Sequence, residues 1–230
     1  MEIKIENNNS LESIYLNEVG RAANGAILYK KGKAVLLATI VTDINANIED
    51  DFLPLTVQYI GKSYANGKFP GGYVKREGKP NEFEILTSRL IDRSLRPLFP
   101  KSYRYPVQIT IMVLSVDNDL DLQIMALNAA SIALFVSNLP IHRAINAIRI
   151  GKIDDDFIIN PTLEQMKQSS IDLFISGENE NIFMIEFKSN IGELSEDKML
   201  EAIKLAQKYI NTTSQIYLQN LSSHIKPHLK

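Results

Sequence analysis

Alternating hydrophobic and polar positions run through the first sixty residues of the chain. The stretches MEIKIE and SIYLNEV, followed by residues 34–41 and 53–61, keep a period of two, and Gly, Asn and Asp clusters separate them. This period sends successive side chains to opposite faces of an extended strand. The pattern therefore predicts a β-rich beginning.

The pattern becomes helical after residue 80. Asn81 is followed by Glu84 three positions later, which is the spacing of a capping box, where each side chain bonds the other residue's backbone N–H. Phe83, Leu86 and Leu90 recur at helical spacing, so a buried apolar stripe is expected on this first helix. The helix should end at the next proline.

Strands and helices mix irregularly over the remaining residues. Residues 105–116 predict a strand, and residues 121–137 predict a nearly all-apolar helix whose alanines allow close packing on a sheet. The runs AIRIGKI and DFIIN predict a hairpin, and IDLFISG and IFMIEFK predict two more strands. A short helix is expected from Asn160-Pro161 and a long closing helix from Ser195.

This order of elements predicts the fold class. Hairpin-like strand pairs outnumber crossovers, so we expect an α+β fold with mixed β-sheets packed against helices. Neither an internal repeat nor a low-complexity segment divides the chain. One domain over residues 1–230 is therefore the simplest prediction, with roughly the last ten residues frayed.

Composition narrows the function classes. The 230 residues include no cysteine, which excludes a disulfide framework and a thiolate metal site. The N-terminus is polar, and no apolar run approaches the roughly eighteen residues that a membrane-spanning helix needs. We therefore expect a cytoplasmic protein that is not inserted in a membrane.

The positive charge of the chain is concentrated in one segment. The formal net charge is −2, but residues 61–104 contain ten Lys/Arg against four acids, and so carry +6. The rest of the chain carries −8. A surface built from this segment would attract polyanions while the remainder repels them. From this count alone, chance clustering of helix and loop charges is an equally good interpretation.

Three arginines share one face of the first predicted helix. Arg89, Arg93 and Arg96 are spaced i, i+4 and i+7, so they lie within a sector of roughly 60°. The planar guanidinium fork suits bidentate contacts with phosphate. Without other information the alternative is favoured, namely a solvated face on which Asp92 pairs with Arg89 and Arg96.

The loop KFPGGYVKREGKP precedes that helix. Its two glycines give backbone freedom, its tyrosine offers a ring for base stacking, and its cations offer phosphate partners. This combination is typical of proteins that bind single-stranded nucleic acid without sequence preference, although a turn with an incidental tyrosine remains open. The candidate contacts are Tyr73, Lys75, Arg76 and Lys79.

No catalytic or metal site is predicted in this chain. His142, His224 and His228 lack the spacing of a metal set, and there is neither a GxSxG elbow nor a cysteine nucleophile. The acids at residues 117–121 precede a helix, where capping and the helix dipole explain them.

Together, the loop, the arginines and the strand order resemble a known family. The stretch DFLPLTVQYIGKSYANGKFPGGYVKREGKPNEFEILTSRLIDRSLRPLFP is similar to the first RNase PH domain of bacterial polynucleotide phosphorylases. The similarity continues through VLSVDNDLDLQIMALNAASIAL, FIINPTLEQMKQSSIDLFISG and SEDKMLEAI, and so covers nearly the whole chain. Members of the family carry two such domains in tandem, joined by a small helical domain, and assemble as ring-shaped trimers.

The resemblance implies phosphorolysis of single-stranded RNA from its 3′ end. Inorganic phosphate attacks the terminal phosphodiester, nucleoside diphosphates are released, and Mg²⁺ assists in the full-length enzyme. In the family the catalytic groups lie in the second RNase PH domain, so the resemblance implies that this chain is inactive alone and binds no metal itself. The alternative is a stand-alone, non-catalytic RNA-binding subunit of a ring.

Particular residues carry this implication. Where active domains have a Gly/Ser/Thr-rich phosphate loop, this chain has residues 121–124, DLQI, and where they have two metal-binding carboxylates it has Glu164 and Ser170, with Asp172 nearby. The family's aromatic-arginine channel loop corresponds to Tyr73, Val74, Lys75 and Arg76, with departures at Val74 and Lys75. The family's RNA-facing helix arginines correspond to Arg89, Arg93 and Arg96.

Overall fold

Two β-sheets form the frame of the protein in the computed structural model, which describes residues 1–7, 10–46, 51–72 and 78–227. Within these ranges the strands are β1 (Glu2–Asn7), β2 (Ser10–Leu16), β3 (Gly25–Lys31), β4 (Ala34–Thr42), β5 (Leu55–Gly61), β6 (Val107–Ser115), β7 (Asn146–Ile153), β8 (Asp156–Ile159), β9 (Ile171–Glu178) and β10 (Asn181–Ser189). The helices are α1 (Glu82–Leu95), α2 (Leu122–Phe135), α3 (Leu163–Gln168) and α4 (Glu196–Leu221).

The first sheet has six strands in the order β1-β2-β3-β4-β6-β5. All neighbours are antiparallel except β5 and β6, which run parallel because α1 lies in the connection between them. The second sheet has the order β10-β9-β7-β8 and is antiparallel throughout. The predicted α+β class with mixed sheets is confirmed.

Helix α2 lies between the two sheets. Every residue from Ile124 to Phe135 is buried, because one side of the helix packs on β3, β4 and β6 and the other side packs on β7. A helix that is apolar all round is stable only when it is covered on all sides. The predicted central helix is therefore confirmed, and Asp121 is its N-cap.

Helix α4 packs on one face of the second sheet and also contacts the first sheet. Ala202, Ala206 and Ile210 pack against the buried residues of β7 and β9. Further along, the Tyr217 hydroxyl donates to the fully buried carboxylate of Glu12 at 2.9 Å. The Lys31 ammonium also lies 3.1 Å from that carboxylate, so the charge is neutralised inside the protein. Burial raises the pKa of Tyr217 well above its usual value, which keeps the phenol protonated as a donor.

The sequence predicted the ends of several elements correctly. The capping box at the start of α1 is formed, since Asn81 Oδ1 accepts from the Glu84 N–H at 2.9 Å and Glu84 Oε2 accepts from the Asn81 N–H at 2.8 Å. Ser195 caps α4 as predicted. The short helix α3 begins slightly later than predicted, because Thr162, rather than the Asn160-Pro161 pair, caps it.

Three predictions differ from the structure. Strand β3 was not predicted at all. The buried stripe of α1 was wrong in its first turns, because Phe83 and Leu86 are about half exposed at 50% and 52%, while Leu90, Ile91 and Leu95 are buried. The segment after α4 was predicted to fray, but its described part packs back on the fold at Lys226. There the Lys226 N–H donates to the Val136 carbonyl, and the Lys226 ammonium donates to the Asn24 carbonyl.

Within the described ranges, no helix has the length and apolar character that crossing a membrane requires.

The close approach of α2 to β3 gives a stability prediction. A Cβ on Gly25 would meet the Ala133 carbonyl oxygen and lie 2.8 Å from the Ser137 Cβ, so Gly25→Ala should force the helix and strand apart. Overpacking of this kind costs about 1–3 kcal/mol. Denaturant unfolding should show that loss for Gly25→Ala and little change for Gly72→Ala, where a Cβ would meet nothing within 4 Å. Equal stability of both variants and the wild type would contradict the described packing.

Candidate nucleic-acid interface

Three adjoining clefts run across the molecule from β5 to α3. The edge cleft, of about 1080 Å³, lies between β5 and the start of α1, and Lys62, Lys79 and Arg89 are among its lining residues. The central cleft, of about 350 Å³, lies between α1 and β10 and shares Arg89 with the edge cleft. The far cleft, of about 540 Å³, shares Asp172 and Lys188 with the central one. The edge and central clefts, which meet at Arg89, are together called the basic groove.

Arg89 and Arg93 present free positive charge to the basic groove. Both line the central cleft, and no acidic group among the described residues lies within ion-pair distance of either one. The alternative in which Asp92 pairs with Arg89 is therefore not realised. Two guanidinium groups one helical turn apart can bind two oxygens of a polyanion without first breaking an internal ion pair.

Arg96 is engaged elsewhere. Its Nη2 lies 2.7 Å and its Nε 3.1 Å from the two carboxylate oxygens of Asp92, and its Nη1 donates to the Leu53 carbonyl at 2.9 Å. It does not line the basic groove. The structure thus brings together two of the three predicted arginines, and the solvated ion-pair alternative holds for the third.

The predicted loop contacts divide into two groups. Lys79 lines the edge cleft, on the same side of the molecule as Arg89. Tyr73, Lys75 and Arg76, together with Val74, lie outside the described residues. Their assignment to a nucleic-acid interface stays a prediction.

The structure adds Lys188, which the sequence did not indicate, and Lys62, which belongs to the basic segment of residues 61–104 but is not among the predicted contacts. Lys188 on β10 lines the central and far clefts, and Lys62 lines the edge cleft. Lys188 is almost a hundred residues from the arginines of α1 in the sequence. A count of charges over a local segment could therefore not show that it lies near them. The only sequence signal was its place in an alternating strand, where charged residues face away from the core.

The N-terminus of α2 is occupied by the chain's own carboxylate. Asp121 Oδ1 accepts from the backbone N–H groups of Gln123 at 2.8 Å and Ile124 at 3.3 Å, and Asp121 Oδ2 lies 2.6 Å from Arg149 Nη1. Arg149 Nη2 also donates to Gln123 Oε1 at 2.7 Å. Backbone N–H groups at a helix start, with an arginine beside them, are the usual ligands of phosphate. Here the side chain of Asp121 takes that position.

The acidic groups near α2 do not converge on a metal site. Asp172 Oδ1 lies 3.1 Å from Arg149 Nε, Glu164 pairs with Lys167 at 2.7 Å on an exposed helix, and the Ser170 hydroxyl donates to the Lys152 carbonyl. Burial raises the pKa of Asp172, and the nearby Arg149 charge opposes that effect. In the part of the chain that the structure describes, no three Asp, Glu or His side chains are grouped to hold a cation. These residues therefore do not fit Mg²⁺.

Sequence profiles of known families match two adjacent parts of the chain. Residues 13–140 match the family described as 3′ exoribonuclease family, domain 1, and residues 144–209 match the family described as 3′ exoribonuclease family, domain 2. The boundary between the two lies between α2 and β7, where the chain passes from the first sheet to the second.

Curated relatives extend over almost the entire chain. It is 52% identical to a polyribonucleotide nucleotidyltransferase from Helicobacter hepaticus over 97% of its own length and 33% of the relative's length. It is 46% identical to the same enzyme from Wolinella succinogenes, covering 95% of the chain and 34% of the relative, and 47% identical to that of Campylobacter jejuni RM1221, covering 98% and 35%. The chain thus spans about a third of the length of these relatives.

Solved structures share the fold at low sequence identity. Rice (Oryza sativa) Rrp46 matches with a TM-score of 0.70 at 17% identity over 94% of both chains. A chain of an Archaeoglobus fulgidus exosome with RNA bound to the active site matches with a TM-score of 0.68 at 18% identity, over 86% of this chain and 85% of that one. The resemblance to bacterial polynucleotide phosphorylases is confirmed, and the chain belongs to the 3′ exoribonuclease family.

Proposed function

We propose that this chain is the first RNase PH-like domain of a polynucleotide phosphorylase, and that it guides single-stranded RNA along the basic groove without catalysing its cleavage. The observation that carries the proposal is the pair of guanidinium groups of Arg89 and Arg93, which have no acidic partner among the described residues and are exposed in a groove that continues to Lys79 on one side and Lys188 on the other. The described cations can neutralise successive phosphates of a strand that lies in the groove.

Guidance requires contacts that tolerate every base. Arginine and lysine contacts to the phosphate backbone fix the position of a strand but do not read its sequence. An enzyme that shortens RNA one nucleotide at a time needs this kind of contact, because each new end must bind as well as the last. The predicted stacking residue Tyr73 would add a second sequence-tolerant contact.

The whole-protein activity follows from the relatives. We infer that a phosphate oxygen attacks the phosphorus of the terminal phosphodiester, the bond to the 3′ oxygen of the preceding nucleotide breaks, and a nucleoside diphosphate leaves. The reverse reaction extends the RNA. The same proposal includes a homotrimeric ring, Mg²⁺ in the full-length enzyme and a cytoplasmic location. These three points rest on the resemblance to polynucleotide phosphorylases.

The non-catalytic role of this chain is supported by the start of α2. Phosphate would have to displace the Asp121 carboxylate from two backbone N–H groups and from Arg149, and it would then lie beside Asp172, which carries a further negative charge. Catalysis of phosphoryl transfer depends on preorganised positive charge at the reacting phosphorus. Asp121 and Asp172 instead place negative charge at this position, so no step of the reaction is assigned to these residues.

A second candidate is a stand-alone RNA-binding subunit of a ring. It is favoured by the structural likeness to a chain of an exosome, whose fold the present chain shares. A polypeptide that continues past Lys230 into a second RNase PH domain would support the first candidate. A polypeptide of this length that binds a separate catalytic subunit would support the second.

RNA binding tests the basic groove. Arg89→Gln combined with Arg93→Gln should weaken the binding of a single-stranded oligoribonucleotide and reduce the slope of log affinity against log salt by about 1.4, because each lost phosphate contact on a single strand removes about 0.7. Lys188→Gln should reduce it by about 0.7. Fluorescence anisotropy over a salt series measures both quantities.

The matched control for those variants is Lys208→Gln on the exposed side of α4, which removes the same charge away from the groove. Its slope should equal that of the wild type. If all variants kept the wild-type affinity and slope, the RNA path would not run along this groove.

Phosphorolysis tests the non-catalytic assignment. The purified 230-residue chain, incubated with single-stranded RNA, inorganic phosphate and Mg²⁺, should release no nucleoside diphosphate, because Asp121 occupies the anion position of α2. Chromatography of the products measures the release, and the full-length protein provides the positive control. Phosphate-dependent release by the chain alone would show that it holds an active site.

A further inference from the structure

The outer edge of β5 is bonded by a helix instead of a strand. The Tyr59 N–H donates to the Ser88 hydroxyl at 2.9 Å, and the Gly61 N–H donates to Glu84 Oε1 at 2.8 Å. No other strand in the described part of the chain pairs with this edge, since β5 is the last strand of its sheet. An unpaired edge is normally open to strand addition by another chain. Here side chains of α1 saturate two of its outward N–H groups.

The other end of β5 is held by Arg96. Its Nη1 donates to the Leu53 carbonyl at 2.9 Å and its Nη2 approaches the Leu55 carbonyl at 3.4 Å. The carboxylate of Asp92, one turn earlier on α1, holds the guanidinium in place through two contacts. Most of the donor capacity of Arg96 is therefore used inside the protein.

The spacing of these residues explains how a helix can follow a strand. Glu84, Ser88 and Arg96 are separated by multiples of four, so they lie on one inclined row that runs from the first turn of α1 to its C-cap. Four helical residues rise by about 6.0 Å, and two strand residues extend by about 6.6 Å. The row therefore stays nearly in register with alternate residues of β5 over the length of the contact.

Glu84 and Ser88 also form hydrogen bonds within α1 itself. Glu84 is 8% exposed, and its second carboxylate oxygen accepts from the Asn81 N–H as part of the capping box. The Ser88 hydroxyl donates to the Glu84 carbonyl at 2.7 Å, which directs a lone pair at the Tyr59 N–H. The same side chains thus fix the start of α1 and its distance from β5.

We infer that Glu84, Ser88 and Arg96 form an edge clamp, which sets the orientation of α1 relative to β5. Arg96 is then a positioning residue: it does not contact RNA itself, but it affects RNA binding by orienting Arg89 and Arg93. Arg89 directly follows Ser88, which bonds β5, and Arg93 directly follows Asp92, which holds Arg96, so each lies about 100° around the helix from the residue before it. The clamp thereby turns both of them toward the basic groove. The RNA part of this inference rests on the proposed function.

A matched pair of variants on the same helix separates positioning from contact. Arg93→Gln and Arg96→Gln remove the same charge, but only the first should reduce the salt slope of RNA binding, by about 0.7. Arg96→Gln should weaken RNA binding at an unchanged slope. An equal reduction of the slope by both variants would overturn the inference, because Arg96 would then contact phosphate.

Amide hydrogen exchange tests the clamp without RNA, and so distinguishes its failure from a failure of the proposed function. The amides of Tyr59 and Gly61 should exchange faster in Arg96→Gln, and the Tyr59 amide should exchange faster in Ser88→Ala, a small change that the fold should tolerate. Arg96→Lys keeps the charge but loses the fork, so it should show the same faster exchange with an unchanged salt slope. Wild-type exchange rates in Ser88→Ala and Arg96→Lys would overturn the clamp.

Discussion

The fold depends on the burial of α2 between two sheets. A helix with no polar face from Ile124 to Phe135 must be covered on every side, and neither sheet alone can do this. The first sheet covers one side and β7 of the second sheet covers the other, so the two sheets are held at a fixed distance. The approach of α2 to Gly25, where there is no room for a Cβ, shows how close that packing is.

This constraint also determines where charge can lie. The start of α2 falls at the junction of the sheets, so its N-cap Asp121 meets Arg149 from β7, and Arg149 in turn meets Asp172 from β9. Arg149 is thus shared by two carboxylates, so it presents no free positive charge at the junction. Among the described residues, Arg89 and Arg93 of α1 have no acidic partner within ion-pair distance, and they line the adjoining groove. In the described part of the chain, the positive charge without an acidic partner therefore lies beside a helix N-terminus that Asp121 caps with its own carboxylate.

The sequence predicted those helices and strands that depend on residues close together in the chain. The capping box of α1, the apolar helix and the hairpin of β7 and β8 follow from spacing and turn residues, and the structure confirms them. Helical spacing could not show which arginine would be paired, because Arg96 differs from Arg93 only through contacts with Asp92 and the distant Leu53 carbonyl. Phe83 and Leu86 were misplaced for a similar reason, since polar Glu84 and Ser88 take the strand-facing positions of α1. Lys188 joins the groove only through the tertiary fold.

The central claim is that RNA lies against Arg89 and Arg93, in the groove between α1 and β10. The most direct measurement is the side-chain Nε–Hε NMR signals of assigned arginines during titration with a single-stranded oligoribonucleotide. The account predicts that the signals of Arg89 and Arg93 shift, while those of Arg143, which pairs with Glu178 away from the groove, stay in place. Shifts confined to arginines outside the groove, with Arg89 and Arg93 unchanged, would contradict it.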